Sequence, residues 1–124
     1  MELKEVETKL NSALRTLLDN DEDLFRANVM EPSISSSLRT YLKPRFPSFN
    51  VDCEYNRYGM VNKTNDKGEE IRPDINIHKR LILKRHNLIV IELKKGKYPN
   101  RNDIKKLMYF TNNGGKYRYK YGFL

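Results

Sequence analysis

"NLIVIELKK", residues 87–95, places an apolar run directly before two charged side chains. The run is short and rich in β-branched residues, which predicts a strand covered on both faces rather than a helix. Because side chains alternate across a strand, Glu92 and Lys94 project from one face and Leu93 from the other. The stretch therefore predicts a carboxylate and an ammonium at the end of a buried strand. Taken alone, the pattern equally describes a strand that ends in a solvated ion pair.

The elements around this strand predict an α/β domain. Two amphipathic helices open the chain, one over residues 3–18 that ends at an acidic turn, and one that begins near Pro32 and stops at Pro44. "FNVDCEYNRY" (residues 49–58) and "RPDINIHK" (residues 72–79) then alternate apolar with polar residues. They predict a hairpin, and the strand at 88–94 completes a three-stranded unit.

The C-terminal part predicts one more helix and one more strand. "NDIKKLMYFT" (residues 102–111) puts Ile104, Leu107, Met108 and Thr111 on one helical face, and "YRYKYGFL" (residues 117–124) alternates as a strand does. The 124 residues suit a single domain, with an N-terminal helix and acidic turn at 1–23 and a core from about 25 to 124. The core order is helix-strand-strand-strand-helix-strand around a mixed central sheet.

Charge is divided unevenly along the chain. Residues 1–62 hold 8 Lys and Arg against 10 Asp and Glu, a net −2, whereas residues 63–124 hold 16 against 6, a net +10. The asymmetry favours a polyanionic partner, nucleic acid first and an acidic membrane surface second. The single Cys53 has no partner for an internal disulfide, and no signal peptide or membrane span is evident. We expect a cytoplasmic protein with no membrane association.

Two carboxylates of the predicted strands can meet. Asp74 begins one strand and Glu92 ends a later one, so neighbouring strands would let both bind a hard cation, with the backbone carbonyl of Leu93 as a third oxygen. Magnesium prefers one or two carboxylates together with water and phosphate oxygens. Lys94 would then lie where its ammonium can position an attacking water and stabilise a phosphodiester transition state. The sequence predicts a Mg²⁺ site, with Mn²⁺ as a substitute.

At this point the residues carry a family resemblance. "MEPS…LRTYL", "VDCEYNR", "RPDINIHK" and "LIVIELKKG", in this order, resemble the PD-(D/E)xK nucleases of the restriction-endonuclease-like superfamily. The resemblance implies that superfamily's α/β sandwich and metal-dependent hydrolysis of phosphodiester bonds in nucleic acid, with DNA favoured. It assigns the metal-binding carboxylates to Asp74 and Glu92, the lysine to Lys94, and a ligand through water to Glu31. The strand that ends in Glu92 and Lys94 carries the E-x-K of this motif. The helix after this E-x-K strand offers Lys105 and Lys106 but lacks the glutamine that many members carry there.

Several of these assignments have simpler alternatives. Glu31 can be only a helix N-terminal charge, Glu54 a solvated strand residue, and His78 and His86 structural or phosphate-facing side chains. The tyrosines at 117, 119 and 121 suit packing better than base stacking.

Three functions remain in competition. They are a nuclease, a non-catalytic nucleic-acid-binding module that retains the fold, and a structural domain whose charge is incidental. DNA against RNA, and a homodimer against a monomer, stay open. Phosphate contacts are predicted at six basic residues, namely Lys79, Arg80, Lys84, Arg85, Lys95 and Lys97.

Overall fold

A computed structural model provides the structure of the chain. It describes residues 1–23, 31–54, 57–58, 61–62, 67, 73–80, 87–93, 101–112, 117 and 119–123. Within this part of the chain the helices are α1 (Leu3–Asn20), α2 (Glu31–Leu42) and α3 (Arg101–Thr111). The strands are β1 (Asn50–Cys53), β2 (Arg57–Tyr58), β3 (Val61–Asn62), β4 (Ile75–His78), β5 (Asn87–Ile91) and β6 (Tyr121–Phe123).

Four of the strands form one mixed sheet in the order β1-β4-β5-β6. The β1–β4 and β4–β5 pairs are antiparallel, and β5 pairs with β6 in parallel. The predicted α/β domain with a mixed sheet is therefore confirmed, as is the antiparallel pairing of the "VDC" and "INIH" strands. β2 and β3 pair only with each other, in a two-stranded sheet that the sequence pattern did not predict.

Helices α1 and α2 cover one face of the sheet. Val6, Leu10 and Leu17 of α1 and Leu38 and Leu42 of α2 belong to one buried cluster. The same cluster takes alternate residues from the sheet: Val51, Ile75, Ile77, Ile89 and Ile91. This alternation is the period of two that the sequence showed, so one face of the sheet is apolar as predicted.

The other face of the sheet is covered around α3. Phe110 of α3 packs with Val90, Tyr117 and Tyr119, and its ring centroid lies 5.6 Å from that of Tyr117 and 5.8 Å from that of Tyr119. The two buried tyrosines are thus packing residues, as expected. Ile104 and Met108, which share the apolar stripe predicted for this helix, are exposed instead. Phe110 sets the rotation of α3 because its ring fills the space between the tyrosines.

Two strands are shorter than their sequence patterns suggest. β1 ends at Cys53, because the next residue, Glu54, takes a positive φ of 50° and leaves the extended conformation. β6 begins only at Tyr121, although Tyr117 and Tyr119 belong to the same alternating run. Among the described residues, no helix is both long and apolar enough to cross a membrane.

Candidate metal centre

Asp74 and Glu92 come together at the end of the β4–β5 ladder. The last pair of the ladder is Ile75 with Ile91, so Asp74 precedes β4 directly where Glu92 follows β5. The backbone N–H of Leu93 donates a hydrogen bond to Asp74 Oδ2 at 2.7 Å. The two carboxylates that the sequence predicted as a pair therefore lie beside each other, and Asp74 is oriented by the backbone of the opposite strand.

Backbone hydrogen bonds fix both residues in the sheet. The N–H of Glu92 donates to the carbonyl of Phe123 at 3.0 Å, which ties the end of β5 to β6. The N–H of Glu54 donates to the carbonyl of Asp74 at 3.1 Å, which ties the start of β4 to the end of β1. The side chain of Glu54 itself is exposed, in agreement with the simpler of its two interpretations.

Glu92 is a buried acid. Its relative exposure is 2%, and burial raises the pKa of its carboxyl from 4.5 to about 8. The ammonium of Lys106 lowers this pKa, whereas the charge of Asp74 and a side-chain hydrogen bond with it act in the raising direction. The proton-bound form is favoured because a second charge beside Asp74 would be repelled in a region from which water is excluded.

Lys106 reaches this carboxyl from α3. Its Nζ lies 3.1 Å from Glu92 Oε1, and its side chain is partly exposed. The contact brings an ammonium beside a carboxyl whose proton-bound form is favoured, and Glu92 Oε1 has no hydrogen-bond partner in the described part of the protein. The sequence pointed to Lys106 only as one of two lysines on this helix, and their distance along the chain from Glu92 gave no reason to choose between them.

The chemistry of this donor set fits a hard divalent cation. Asp74 and Glu92 supply two carboxylates, and Glu92 Oε1 is a buried oxygen without a hydrogen bond. Mg²⁺ is bound by one or two carboxylates and keeps several waters, so it needs no complete protein cage. The described residues contain no group of three His, Cys, Asp or Glu that could hold a metal. The pair would have to be completed by the Leu93 carbonyl, water or a substrate phosphate.

The remaining predicted site residues are only partly described. Lys94, Lys84, Arg85, Lys95 and Lys97 lie outside the described residues, so their predicted roles stay predictions. Glu31 begins α2, and its side chain also lies outside the described part of the chain.

Lys79 and Arg80, the two described basic candidates, both contact this chain's own side chains. Lys79 Nζ lies 5.7 Å from the ring centroid of Phe49. The Arg80 guanidinium binds both carboxylate oxygens of Asp52, with a distance of 3.0 Å from Nε to Oδ2.

A second polar cluster, which the sequence did not reveal, surrounds Asp52. His78 Nε2 lies 2.7 Å from Asp52 Oδ2, and both side chains are buried. Burial raises the pKa of Asp52, but the hydrogen bonds from His78 and Arg80 outweigh it and hold that pKa well below its usual range. The alternation of β1 placed Asp52 on a polar face. In the structure Asp52 is buried there, and it pairs with the buried Asn76 across β1 and β4.

Comparison of the sequence with protein-family models and with curated proteins, and of the structure with solved structures, gave no match.

Proposed function

We propose that this protein is a metal-dependent nuclease of the PD-(D/E)xK type that hydrolyses phosphodiester bonds in DNA. The observation that carries the proposal is the Asp74–Glu92 pair at the end of two adjacent strands, with Glu92 buried and its pKa raised to about 8. Strongly perturbed carboxylates that lie beside each other are typical of functional sites. A protein that used this region only for packing would gain nothing from two acids in contact.

The order of elements supports the restriction-endonuclease-like fold that we propose for the chain. From α2 onward the main sheet and its helices follow one another as α2, β1, β4, β5, α3 and β6. This is the helix-strand-strand-strand-helix-strand order that the resemblance implies, with the β2–β3 hairpin added between the first two strands of the sheet. Asp74 and Glu92 occupy the positions that correspond to the acidic residues of the motif.

Two carboxylates of the site are the proposed metal ligands. Asp74 and Glu92 would hold Mg²⁺, or Mn²⁺ in its place, with the Leu93 carbonyl, and Glu31 would take part through water. When bound, the cation lowers the pKa of a coordinated water and offsets charge on the phosphate. Glu92 would hold the cation in its ionised form, because the positive charge would compensate the repulsion from Asp74.

The lysine of the motif acts on the water rather than on the metal. The Lys94 ammonium positions the attacking water and stabilises the negative charge that develops on the phosphoryl oxygens. A water attacks phosphorus and gives up a proton to solvent, the P–O bond to the leaving group breaks, and the leaving oxygen takes up a proton from solvent water.

Binding of the substrate is proposed to rest on the basic second half of the chain. Arg80 and Lys79 follow β4 directly, and Lys95 and Lys97 follow the E-x-K strand in sequence. Lys84 and Arg85 belong to the connection between these strands. Phosphate contacts of this kind position a nucleic acid without reading its sequence.

The direct test is a cleavage assay on single-stranded, duplex and branched DNA and RNA with Mg²⁺, Mn²⁺ or EDTA. We expect cleavage of DNA only with a divalent ion. Asp74→Asn, Glu92→Gln and Lys94→Ala should each reduce the rate by at least about 100-fold, as loss of one charge-stabilising group does. Glu5→Gln removes an exposed carboxylate on α1 and serves as the control. Folded variants that keep wild-type rates would show that the assigned site is wrong.

A non-catalytic nucleic-acid-binding module is the second candidate, and one observation favours it. The Lys106 ammonium 3.1 Å from Glu92 Oε1 provides a counter-charge for this carboxyl without any metal. The module would bind nucleic acid in EDTA as well as in Mg²⁺ and would cleave nothing. Mg²⁺ titration by calorimetry separates the two candidates, because only the nuclease requires the Asp74–Glu92 pair to bind the ion.

A further inference from the structure

Asn76, in the middle of β4, has a buried acceptor that no described residue satisfies. Its relative exposure is 0%, and its Nδ2 donates a hydrogen bond to the Tyr119 hydroxyl at 2.9 Å. Its Oδ1 is fully buried and has no hydrogen-bond partner among the residues that the structure describes. Buried polar atoms are nearly always paired, so an unpaired one calls for a water, an ion or a functional reason.

The register places this oxygen beside the carboxylate pair. Asn76 of β4 pairs with Val90 of β5. Asp74 lies two residues before Asn76, and Glu92 lies two residues after Val90. Residues two apart share a face of the sheet, so Asp74, Asn76 and Glu92 belong to one face. Diagonal neighbours on such a face lie about 7–8 Å apart, within the span of two side chains and one water.

Among the described residues, two buried acceptors without hydrogen bonds therefore share this region of the sheet, and Glu92 Oε1 has the Lys106 ammonium at 3.1 Å. As a metal ligand Glu92 would be ionised, and its carboxylate and the amide oxygen of Asn76 would then both only accept hydrogen bonds, so neither could satisfy the other. A water can donate to both, and a buried water usually binds about three polar partners. A magnesium ion also keeps several of its own waters when carboxylates bind it. One water bound to the ion would meet the needs of both oxygens.

We propose that Asn76 Oδ1 binds a water of the hydration shell of the divalent cation held by Asp74 and Glu92. Asn76 is then a positioning residue, which holds the metal through its water and is itself held by Tyr119. The inference rests on the proposed metal-dependent function and extends its site by one residue along β4. Groups that orient a metal's ligands in this way typically change its affinity by about 10- to 100-fold.

The test is Mg²⁺ and Mn²⁺ binding to the full chain, measured by calorimetry in the absence of nucleic acid. Asn76→Val removes the amide from the strand, and we expect a dissociation constant about 10- to 100-fold higher than that of the wild type. Tyr119→Phe is the matched control, since it removes the same Asn76–Tyr119 hydrogen bond but leaves Oδ1 in place. We expect this control to bind metal nearly as the wild type does.

The outcomes separate this inference from the function on which it rests. Weaker binding in Asp74→Asn together with wild-type binding in Asn76→Val would overturn the role of Asn76 and leave the metal site standing. A wild type that binds neither ion would overturn both. If Asn76→Val does not fold, Asn76→Ser replaces it, because the shorter side chain keeps a polar group but does not reach the position of Oδ1. If Asn76 has only a structural role, Asn76→Val should lower the melting temperature by the same amount with and without Mg²⁺. This result would also overturn the proposal.

Discussion

Lys106 Nζ lies 3.1 Å from Glu92 Oε1, so an ammonium is in contact with a buried carboxyl. The ammonium lowers the pKa of Glu92, yet burial and Asp74 together hold that pKa at about 8. The lysine therefore offsets only part of the cost of a charge at this position. A divalent cation at the same carboxylate would carry twice the charge of Lys106 and would be repelled by it.

We expect Lys106→Met to strengthen magnesium binding by about tenfold at pH 9, because the variant removes a positive charge within a few ångströms of the cation. The alkaline pH is needed because loss of Lys106 raises the pKa of Glu92 further, and a protonated Glu92 does not bind metal. Calorimetry measures the change, and Lys105→Met, which alters the exposed neighbour on α3, is the control. Unchanged or weaker binding in Lys106→Met alone would show that Lys106 does not compete with the ion.

Binding of nucleic acid should depend steeply on salt and persist in EDTA, since it is proposed to rest on the basic half of the chain. A plot of log affinity against log salt on duplex DNA should fall by about 0.9 for each phosphate contact. Replacing Lys79 or Arg80 by Met should reduce the slope by about one contact, whereas Lys4→Met on the exposed surface of α1 should not change it. A flat salt dependence would contradict a nucleic-acid partner.

Asp52→Ala should destabilise the fold by about 3 kcal/mol, because it leaves the buried His78 without the acceptor 2.7 Å from its Nε2. Arg80→Met should cost only about 0 to 1 kcal/mol, since the Arg80 side chain is half exposed. Urea unfolding near neutral pH measures both, with the exposed Asp19→Asn as control. If Asp52→Ala and Arg80→Met lower the free energy of unfolding equally, the contact between His78 and Asp52 contributes nothing to stability.

Acid should remove the contribution of Asp52. Its pKa in the folded protein is below the ordinary 3.8, so the folded state holds this proton less tightly than the unfolded chain. The stabilisation is present above about pH 4 and is lost as the pH falls below that value. Urea unfolding at pH 5 and pH 3 should therefore show a smaller difference between wild type and Asp52→Ala at the lower pH. A difference that stays constant would contradict the lowered pKa.

The sequence allowed the Asp74–Glu92 pair to be predicted because Asp74 stands at the start of an alternating run and Glu92 at the end of a short apolar run, and both runs predict strands. Adjacent antiparallel strands bring such ends together whatever the details of packing. The alternation also predicted the apolar face that α1 and α2 cover. These inferences needed only local pattern and the order of elements.

The partners of these residues could not be predicted in the same way. Lys106 contacts Glu92 because Phe110 packs between Tyr117 and Tyr119 and so fixes the rotation of α3. The apolar stripe of α3 pointed to a different rotation, with Ile104 and Met108 inward. The alternation of β4 marks Asn76 and His78 only as polar, whereas in the structure both are buried, Asn76 against the hydroxyl of Tyr119 and His78 against Asp52. Tertiary packing decides these features, and no local pattern records it.

The last prediction concerns the dependence of stability on pH and magnesium. The pKa of Glu92 is about 8 in the folded protein against 4.5 ordinarily, so between these values the folded state keeps a proton that the unfolded chain has released. The stabilisation from Glu92 is thus complete below about pH 4.5 and is lost as the pH rises through about 8, by up to about 1.4 kcal/mol for each pH unit. Glu92→Gln stays neutral and should not show this loss.

Urea unfolding of wild type, Glu92→Gln and the exposed control Glu5→Gln at pH 5.5, 6.5 and 7.5 isolates this contribution, because every other titrating group is shared. Without metal, the wild type should lose stability relative to Glu92→Gln as the pH rises. Magnesium should restore the stability of the wild type at pH 7.5 by mass action, since it binds the ionised carboxylate of the folded state. The stability of Glu92→Gln should not change with magnesium. Parallel pH profiles would contradict a proton on the buried Glu92. An equal response to magnesium in both proteins would exclude Glu92 as a ligand and would leave the non-catalytic binding module as the better account.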